Sequence, residues 1–290
     1  MYDVIIIGKG PAGISGSLYT SRAGLKTLVI GKGDSLLKKA EKIQNYYGFS
    51  YPVSGRFLLQ EGEKQAMALG VEILEDEVVG IERTGFFEVT ASGGKYRGKA
   101  VLLAAGQARK RLNIENLAGF EGKGVSYCST CDGFFFKGLK VGVLGYKDYA
   151  VHEAMELEAY TKDITIFTNG FEPDLTGRFA EESKRFRIIR EPVLKLEGDE
   201  FLRRIVLPNG IIEEIDGLFI AYESASSLDF ARKLGLIVKD GSVVVDEDQR
   251  TNLEGLFAAG DCTGRLRQIA AAVGQGALAG KKIIDYIRGT

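Results

Sequence analysis

The chain reads as an α/β protein of two Rossmann-like, three-layer domains, the second inserted into the first. Three observations carry this. An apolar strand over residues 2–8 runs into a glycine-rich turn at the start of the chain. The strand-and-turn pattern partly repeats at Lys140-Val-Gly-Val-Leu-Gly145. A further apolar strand, Gly255-Leu-Phe-Ala-Ala-Gly260-Asp261, follows near the C-terminus, after sets of strand-like segments.

Residues 2–8 form a nearly continuous apolar run ending in glycine, the pattern of a buried parallel strand. Gly8-Lys-Gly10-Pro-Ala-Gly13 follows, then a helical stretch to about Ala23 and a strand over 26–30. Strand, tight turn, helix and strand within about 30 residues is the context in which such a turn holds a dinucleotide. Gly8 permits the tight turn, Gly10 lets backbone approach a diphosphate, and Gly13 allows close helix–strand packing. The helix N-terminus supplies N–H donors and partial positive charge. A purely structural turn is the bland alternative. The second strand should end in an acid that holds a ribose hydroxyl; Gly31 stands there instead, with Asp34 three residues on.

Residues 71–103 alternate like antiparallel strands and end at Ala104-Ala105-Gly106. The second nucleotide-type unit places a strand at 141–145, a helix over 149–161 and a strand at 164–167. Its turn is degraded: Lys147 occupies the second glycine position, and Tyr146 and Tyr149 crowd the loop. A side chain where backbone should touch a diphosphate is a steric objection. Strands similar to those of 71–103 follow at 202–207 and 218–221. Polar stretches at 107–111 and 239–242 read as linkers, giving domains of 1–110 with 241–290, and 111–240. A small-residue helix starts at about Gln268.

With 290 residues, 45% of them hydrophobic, the chain can bury sizeable cores. A net charge of -1 argues against general nucleic-acid binding. No apolar run reaches the ~18 residues of a membrane span. A strand beginning within two residues of Met1 leaves no room for a signal peptide, so a cytoplasmic protein is expected.

The chain has three cysteines, two of them in Cys128-Ser-Thr-Cys131, followed by Asp132 and Gly133. In a reducing compartment such a pair does redox or metal work. A zinc site would need Cys262 and the lone histidine, His152, as further ligands. Cys262 reads better as a small packing residue and His152 as a helix-surface residue, so no metal is expected. A redox dithiol beside nucleotide-type units points to electron transfer from a bound cofactor into a disulfide.

Together the motifs resemble the low-molecular-weight thioredoxin reductases along essentially the whole chain. The matching segments are GKGPAG (8–13), QNYYGF (44–49), AAG (104–106), GVSYCSTCDGFFFKG (124–138), GLFAAGD (255–261) and RQIAAAVGQGALAG (267–280). The resemblance implies FAD in the discontinuous domain and the dithiol in the inserted one. It would place Gly8, Gly10, Ala12, Gly13 and Gly106 along the FAD site, with Val78 near the adenine. Asn45, Gln268 and Ile269 would meet the isoalloxazine or ribitol, and Asp261 would accept a ribitol hydroxyl. Cys131 resembles the flavin-proximal thiol, Cys128 the thiol that attacks the partner's disulfide, and Asp132 their proton donor and acceptor. The phenylalanines 134–136 and Tyr46-Tyr47 would pack at the domain interface or flavin edge.

The departures matter as much. The family's HRRxxxR phosphate grip is absent, Tyr222-Glu-Ser-Ala-Ser replaces a glycine-containing loop, and no Gly-Gly-Gln precedes QNYYGF. This pattern resembles the ferredoxin-dependent flavin thioredoxin reductases, which keep FAD and CxxC without NADPH. A ferredoxin near -400 mV lies about 130 mV below thioredoxin, roughly 6 kcal/mol downhill for two electrons. Three cysteines cannot ligate an iron–sulfur cluster, so flavin is the expected internal relay. Basic groups at 109–111, 184–187, 203–204, and Arg265 with Arg267 offer docking sites for an acidic ferredoxin. The expectation is a homodimeric thioredoxin reductase driven by ferredoxin. The alternatives are an NAD(P)H enzyme with an altered nucleotide site and a flavin redox sensor without turnover.

Overall fold

The computed structural model describes residues 1–32, 35–106, 112–264 and 266–290. Asp34, the expected linker at 107–111 and Arg265 lie outside the described residues. The chain divides into two compact units, Met1–Ala108 with Ser226–Thr290, and Arg109–Ala225.

The first unit opens with β1 (Tyr2–Ile7), α1 (Pro11–Arg22), β2 (Thr27–Ile30), α2 (Gly55–Ala68) and β3 (Glu72–Leu74). A meander follows: β4 (Val78–Arg83), β5 (Phe87–Ala91) and β6 (Gly94–Leu103). The second unit holds β7 (Val125–Ser126), α3 (Ser129–Asp132), β8 (Val141–Leu144), α4 (Asp148–Leu157), β9 (Ile164–Phe167), α5 (Gly177–Glu182) and β10 (Arg187–Ile189). It continues with β11 (Lys195–Gly198), β12 (Leu202–Val206), β13 (Ile212–Glu214) and β14 (Gly217–Ile220). The chain then returns through α6 (Ser227–Lys233), β15 (Val238–Lys239), β16 (Ser242–Val243), β17 (Leu256–Ala258) and α7 (Ile269–Arg288).

In the first sheet β1 and β17 both run parallel to the C-terminal half of β6, with Ile6 and Phe257 each opposite Leu102. The N-terminal half of β6 pairs antiparallel with β5. The 71–74 stretch, expected antiparallel, instead forms β3 parallel to β2, because α2 returns the chain across the sheet as a crossover. In the second unit the strand order is β10-β9-β8-β14-β7, all parallel, beside an antiparallel ribbon of β11, β12 and β13. Residues 218–221 also depart from the alternating expectation: β14 is buried at all four positions, as a strand covered on both faces must be.

The return to the first unit falls at Ser226, where the linker pattern predicted 241. Ser226 and Asp229 cap α6 reciprocally, and Ser227 Oγ accepts the Ala105 N–H at 3.2 Å. That bond ties α6 to the end of β6. The polar stretch at 239–242 turns the β15–β16 hairpin and is no linker. Among the described residues no helix is long and apolar enough to cross a membrane.

Helices α1 and α7 pack over the first sheet, where Val4, Ile6, Leu102, Phe257, Ala279 and Ile283 share one core. Their backbones touch. A Cβ added at Gly276 would lie 2.1 Å from the Ala12 carbonyl oxygen. Ser15 Oγ, on α1, donates to the Val273 carbonyl at 2.8 Å. Gly276→Val should therefore lower stability by about 3 kcal/mol, a fall of roughly 6 °C or more in Tm by calorimetry. An unchanged Tm would mean that the two helices are free to part.

Candidate active site

The dithiol is shaped by the turn that joins β7 to α3. Cys128 and Cys131 form a disulfide with Sγ–Sγ 2.07 Å and Cα–Cα 5.3 Å. Cys128 is the N-cap of α3, and its sulfur accepts the Cys131 N–H at 3.1 Å. That N–H favours a thiolate on Cys128 once the disulfide opens. Cys128 is 4% exposed, whereas Cys131 is exposed. Attack on a partner's disulfide by Cys128 therefore requires that its sulfur first be uncovered.

Two serines link this turn to two carboxylates. Ser126 Oγ donates to Asp132 Oδ2 at 2.6 Å and accepts the Cys128 N–H at 3.1 Å. Ser129, fully buried between the cysteines, donates through Oγ to Glu153 Oε2 at 2.8 Å. Glu153, on α4, is 2% exposed. The sequence reading singled out Asp132 and missed Glu153. Its signal was an acid on the apolar face of α4, in step with Tyr149, Ala150, Ala154 and Leu157, all buried. His152 packs toward Phe179, with ring centroids 6.4 Å apart, and lies 3.5 Å from Glu153. It is part-buried and not an open surface residue.

The glycine turn of the first unit forms a cradle at the C-terminal ends of β1, β6 and β17. Gly8, at φ 112°, leaves no room for a side chain: a Cβ would sit 2.3 Å from the Ala104 carbonyl oxygen. A Cβ at Gly13 would lie 1.9 Å from the Gly8 carbonyl oxygen. Gly10, the α1 N-cap, has no side-chain cap and open space where its Cβ would be. First-turn N–H groups have no carbonyl one turn back in their own helix, so those of Ala12 and Gly13 suit a diphosphate. Gly106 also faces open space, past the end of β6. Gly260 places exposed Asp261 beside α1, since its Cβ would fall 3.0 Å from that of Ala12.

Asn45 Nδ2 donates to Gln268 Oε1 at 3.0 Å, joining residues 223 positions apart at the N-terminus of α7, with Ile269 next in line. Glu77, 3.8 Å from Lys32, brings the start of β4 and Val78 to the end of β2. Gly31 is explained by packing: a Cβ there would lie 3.0 Å from the Lys9 amide nitrogen. Lys9 itself pairs with Glu75 and lies 3.4 Å from Glu63. The cradle thus fits FAD in its glycine approach and its donor-rich helix end.

In the second unit the corresponding turn is closed. Tyr146 stacks on Phe171 at 4.6 Å and 15°, with Tyr222 edge-on at 5.5 Å. The Asp174 N–H donates to the Tyr146 carbonyl at 2.8 Å, and Lys147 bridges to Asp174. Asp148, buried in the first turn of α4, accepts the Thr176 N–H at 2.8 Å and also its hydroxyl. Residues 171–176 therefore lie over the helix end that a diphosphate would need. Tyr149, expected in this loop, is turned into the core instead. The cavity left beside Tyr146 and Pro173 measures about 10 Å³, room for roughly one water.

Cys262 is fully buried, its sulfur 3.3 Å from the Ala259 carbonyl oxygen. Burial pushes its thiol up to about 11, so it packs and does not react. Phe136 is wedged against Phe219 at 5.3 Å, while Phe134 and Phe135 are exposed. Tyr46 is part-buried and Tyr47 exposed.

Comparison with known proteins agrees with this geometry. The pyridine nucleotide-disulphide oxidoreductase family matches residues 2–276. A thioredoxin reductase from Listeria innocua is 35% identical over 302 residues, spanning 99% of this chain and 94% of its own. The crystal structure of the atypical thioredoxin reductase TRi from Desulfovibrio vulgaris Hildenborough superposes with a TM-score of 0.96 at 41% identity, covering 100% of this chain and 99% of that one. A ferredoxin-flavin thioredoxin reductase from Clostridium acetobutylicum superposes with a TM-score of 0.74 at 28% identity, over 100% and 99% of the two chains. The chain belongs to the pyridine nucleotide-disulphide oxidoreductase family, among the FAD-carrying thioredoxin reductases.

Proposed function

We propose that this thioredoxin reductase is driven by reduced ferredoxin and not by NADPH or NADH. The closure of the α4 N-terminus by residues 171–176 is the observation that supports this reading. The likeness to a ferredoxin-flavin thioredoxin reductase runs in the same direction.

When bound, FAD supplies a carrier that takes electrons singly and passes them on in pairs. The first unit would hold it: the α1 N-terminus and the turn at Gly8, Gly10, Ala12 and Gly13 would take the diphosphate, with Gly106 leaving room beside it. Asp261 would accept a ribitol hydroxyl, Val78 would lie toward the adenine, and Asn45, Gln268 and Ile269 would position the ring end.

The second unit performs the exchange. In the reduced dithiol, Cys128 as thiolate attacks one sulfur of thioredoxin's disulfide, forming a mixed disulfide and releasing the other sulfur as a thiolate. Cys131 as thiolate then attacks Cys128 Sγ, restoring the 128–131 disulfide and releasing the second thioredoxin sulfur. Two electrons pass to the partner, whose two sulfurs each gain a proton. Asp132, held by Ser126 beside the turn, moves protons to and from the thiols. Glu153 positions the turn through Ser129.

Anaerobic mixing decides the donor: reduced ferredoxin should bleach the flavin promptly, while NADPH and NADH leave it yellow. Prompt bleaching by either nucleotide overturns the ferredoxin reading. Cys131→Ser should retain FAD yet lose thioredoxin reduction by about 10³-fold or more; appreciable residual turnover would remove Cys131 from the pathway. Glu153→Ala strands the buried Ser129 hydroxyl at a cost of about 1–3 kcal/mol and should slow exchange with thioredoxin. Glu153→Gln, which keeps an acceptor oxygen, should recover most of that rate. Equal rates in native, Ala and Gln proteins would strip Glu153 of a positioning role.

A further inference from the structure

The first unit carries a loop that leaves large aromatic side chains in water. The segment 43–53 is a loop pinned at its base by Ile43 and Val53, which exchange backbone hydrogen bonds of 2.8 and 3.1 Å and are both buried. Above that base the rings of Tyr46, Phe49, Tyr51 and Phe57 contact one another around Phe49, with centroids 6.0–6.3 Å apart. Tyr47 is 97% exposed and Tyr51 63%. The Asn45–Gln268 hydrogen bond joins this loop to the 266–268 segment, where Leu266 is 72% exposed. Large apolar and aromatic groups left in water on a pinned loop mark a contact surface.

Charge says what kind of partner fits. Lys39, Lys42, Arg56 and Arg267, which flank these segments in the sequence, are exposed, and none makes an ion pair among the described residues. From 38 to 57 the sequence holds four basic residues and one acid, Glu41. Among the described residues, the basic groups at 184–187 and 203–204 are paired within the chain. Lys184 pairs with Glu181, Arg185 with Glu158 and Glu182, Arg187 with Glu213, Arg203 with Asp216 and Arg204 with Glu197. A self-complementary contact with a second copy would set these lysines and arginines near their own kind. Thioredoxin must instead engage the dithiol of the second unit.

We propose that the face formed by Tyr47, Tyr51, Lys42 and Arg267 is the docking platform for the small acidic iron–sulfur protein that delivers electrons. This rests on the ferredoxin reading above and names its site. The platform is continuous with Asn45 and Gln268, the residues assigned to the ring end of FAD, so a carrier seated there delivers charge where it is used. Electron-transfer encounters need only a small interface, and unpaired surface charge speeds their formation.

The test is anaerobic stopped-flow reduction of the FAD-loaded enzyme by photoreduced two-cluster bacterial ferredoxin, at low and high salt. Lys42→Glu with Arg267→Glu should lower the bimolecular rate at least about tenfold at low salt and flatten its salt dependence. Lys39→Glu with Arg56→Glu is a second pair for the same readout, used if the first loses its flavin. Tyr47→Ala should lower the rate severalfold at both salt concentrations. Thioredoxin reduction by photochemically pre-reduced enzyme should stay at the native rate. Native ferredoxin rates in the variants overturn the platform while leaving ferredoxin as donor. A changed sedimentation coefficient with native rates assigns the face to a second copy, and a raised thioredoxin KM with native ferredoxin rates assigns it to thioredoxin; either overturns the platform. If ferredoxin fails to reduce even the native flavin, the donor reading falls first and the platform with it.

Discussion

A Cβ at Gly8 would lie 2.3 Å from the Ala104 carbonyl oxygen, and one at Gly276 2.1 Å from that of Ala12, so strand ends and helices of the first unit meet through bare backbone. This contact sets the positions of everything near it. It draws the α1 N-terminus to the end of β1, sets α7 directly on α1, and keeps Asp261 beside Ala12. Elsewhere in the unit, side chains of the apolar core hold the layers together. At this corner the absence of side chains leaves the start of α1 open, which is what a dinucleotide requires.

The second unit repeats the framework and reverses the outcome. Its parallel sheet, its turn after β8 and its helix α4 reproduce the nucleotide-type layout. Yet residues 171–176 bond to the turn through the Asp174 N–H and to Asp148 through Thr176. Helix α4 also supports the CxxC turn, through Glu153 and Ser129. The same helix is therefore covered at its start and carries a structural duty one turn further along.

Local spacing made much of this legible in the sequence. The turn from Gly8 to Gly13, the 128–131 pair and the strand running into Asp261 all depend on neighbours within a few residues. Less local features were hidden. That 71–74 joins β2 and not the meander depends on the crossover through α2. The boundary at Ser226 depends on a bond from Ala105, and the pairing of Asn45 with Gln268 spans 223 positions. Glu153 was hidden because an acid on an amphipathic helix usually points to water. The sequence did expose the failure of the second turn, at Tyr146 and Lys147. It did not expose the agent of that failure, since 171–176 meets the turn across more than twenty positions, through one backbone bond at Asp174 and the side chains of Phe171 and Thr176.

That last feature bears on what it would take to open the second unit's turn. Restoring small residues at 146 and 147 would reopen the turn, but the covering peptide would still have its amide hydrogens committed there. Full opening would demand a different path for the main chain between β9 and α5, by deletion or replacement of the whole crossing. Point substitutions drift readily in a lineage; rerouted backbone does so rarely. The closure of this turn is thus built into the path of the main chain and is slow to reverse.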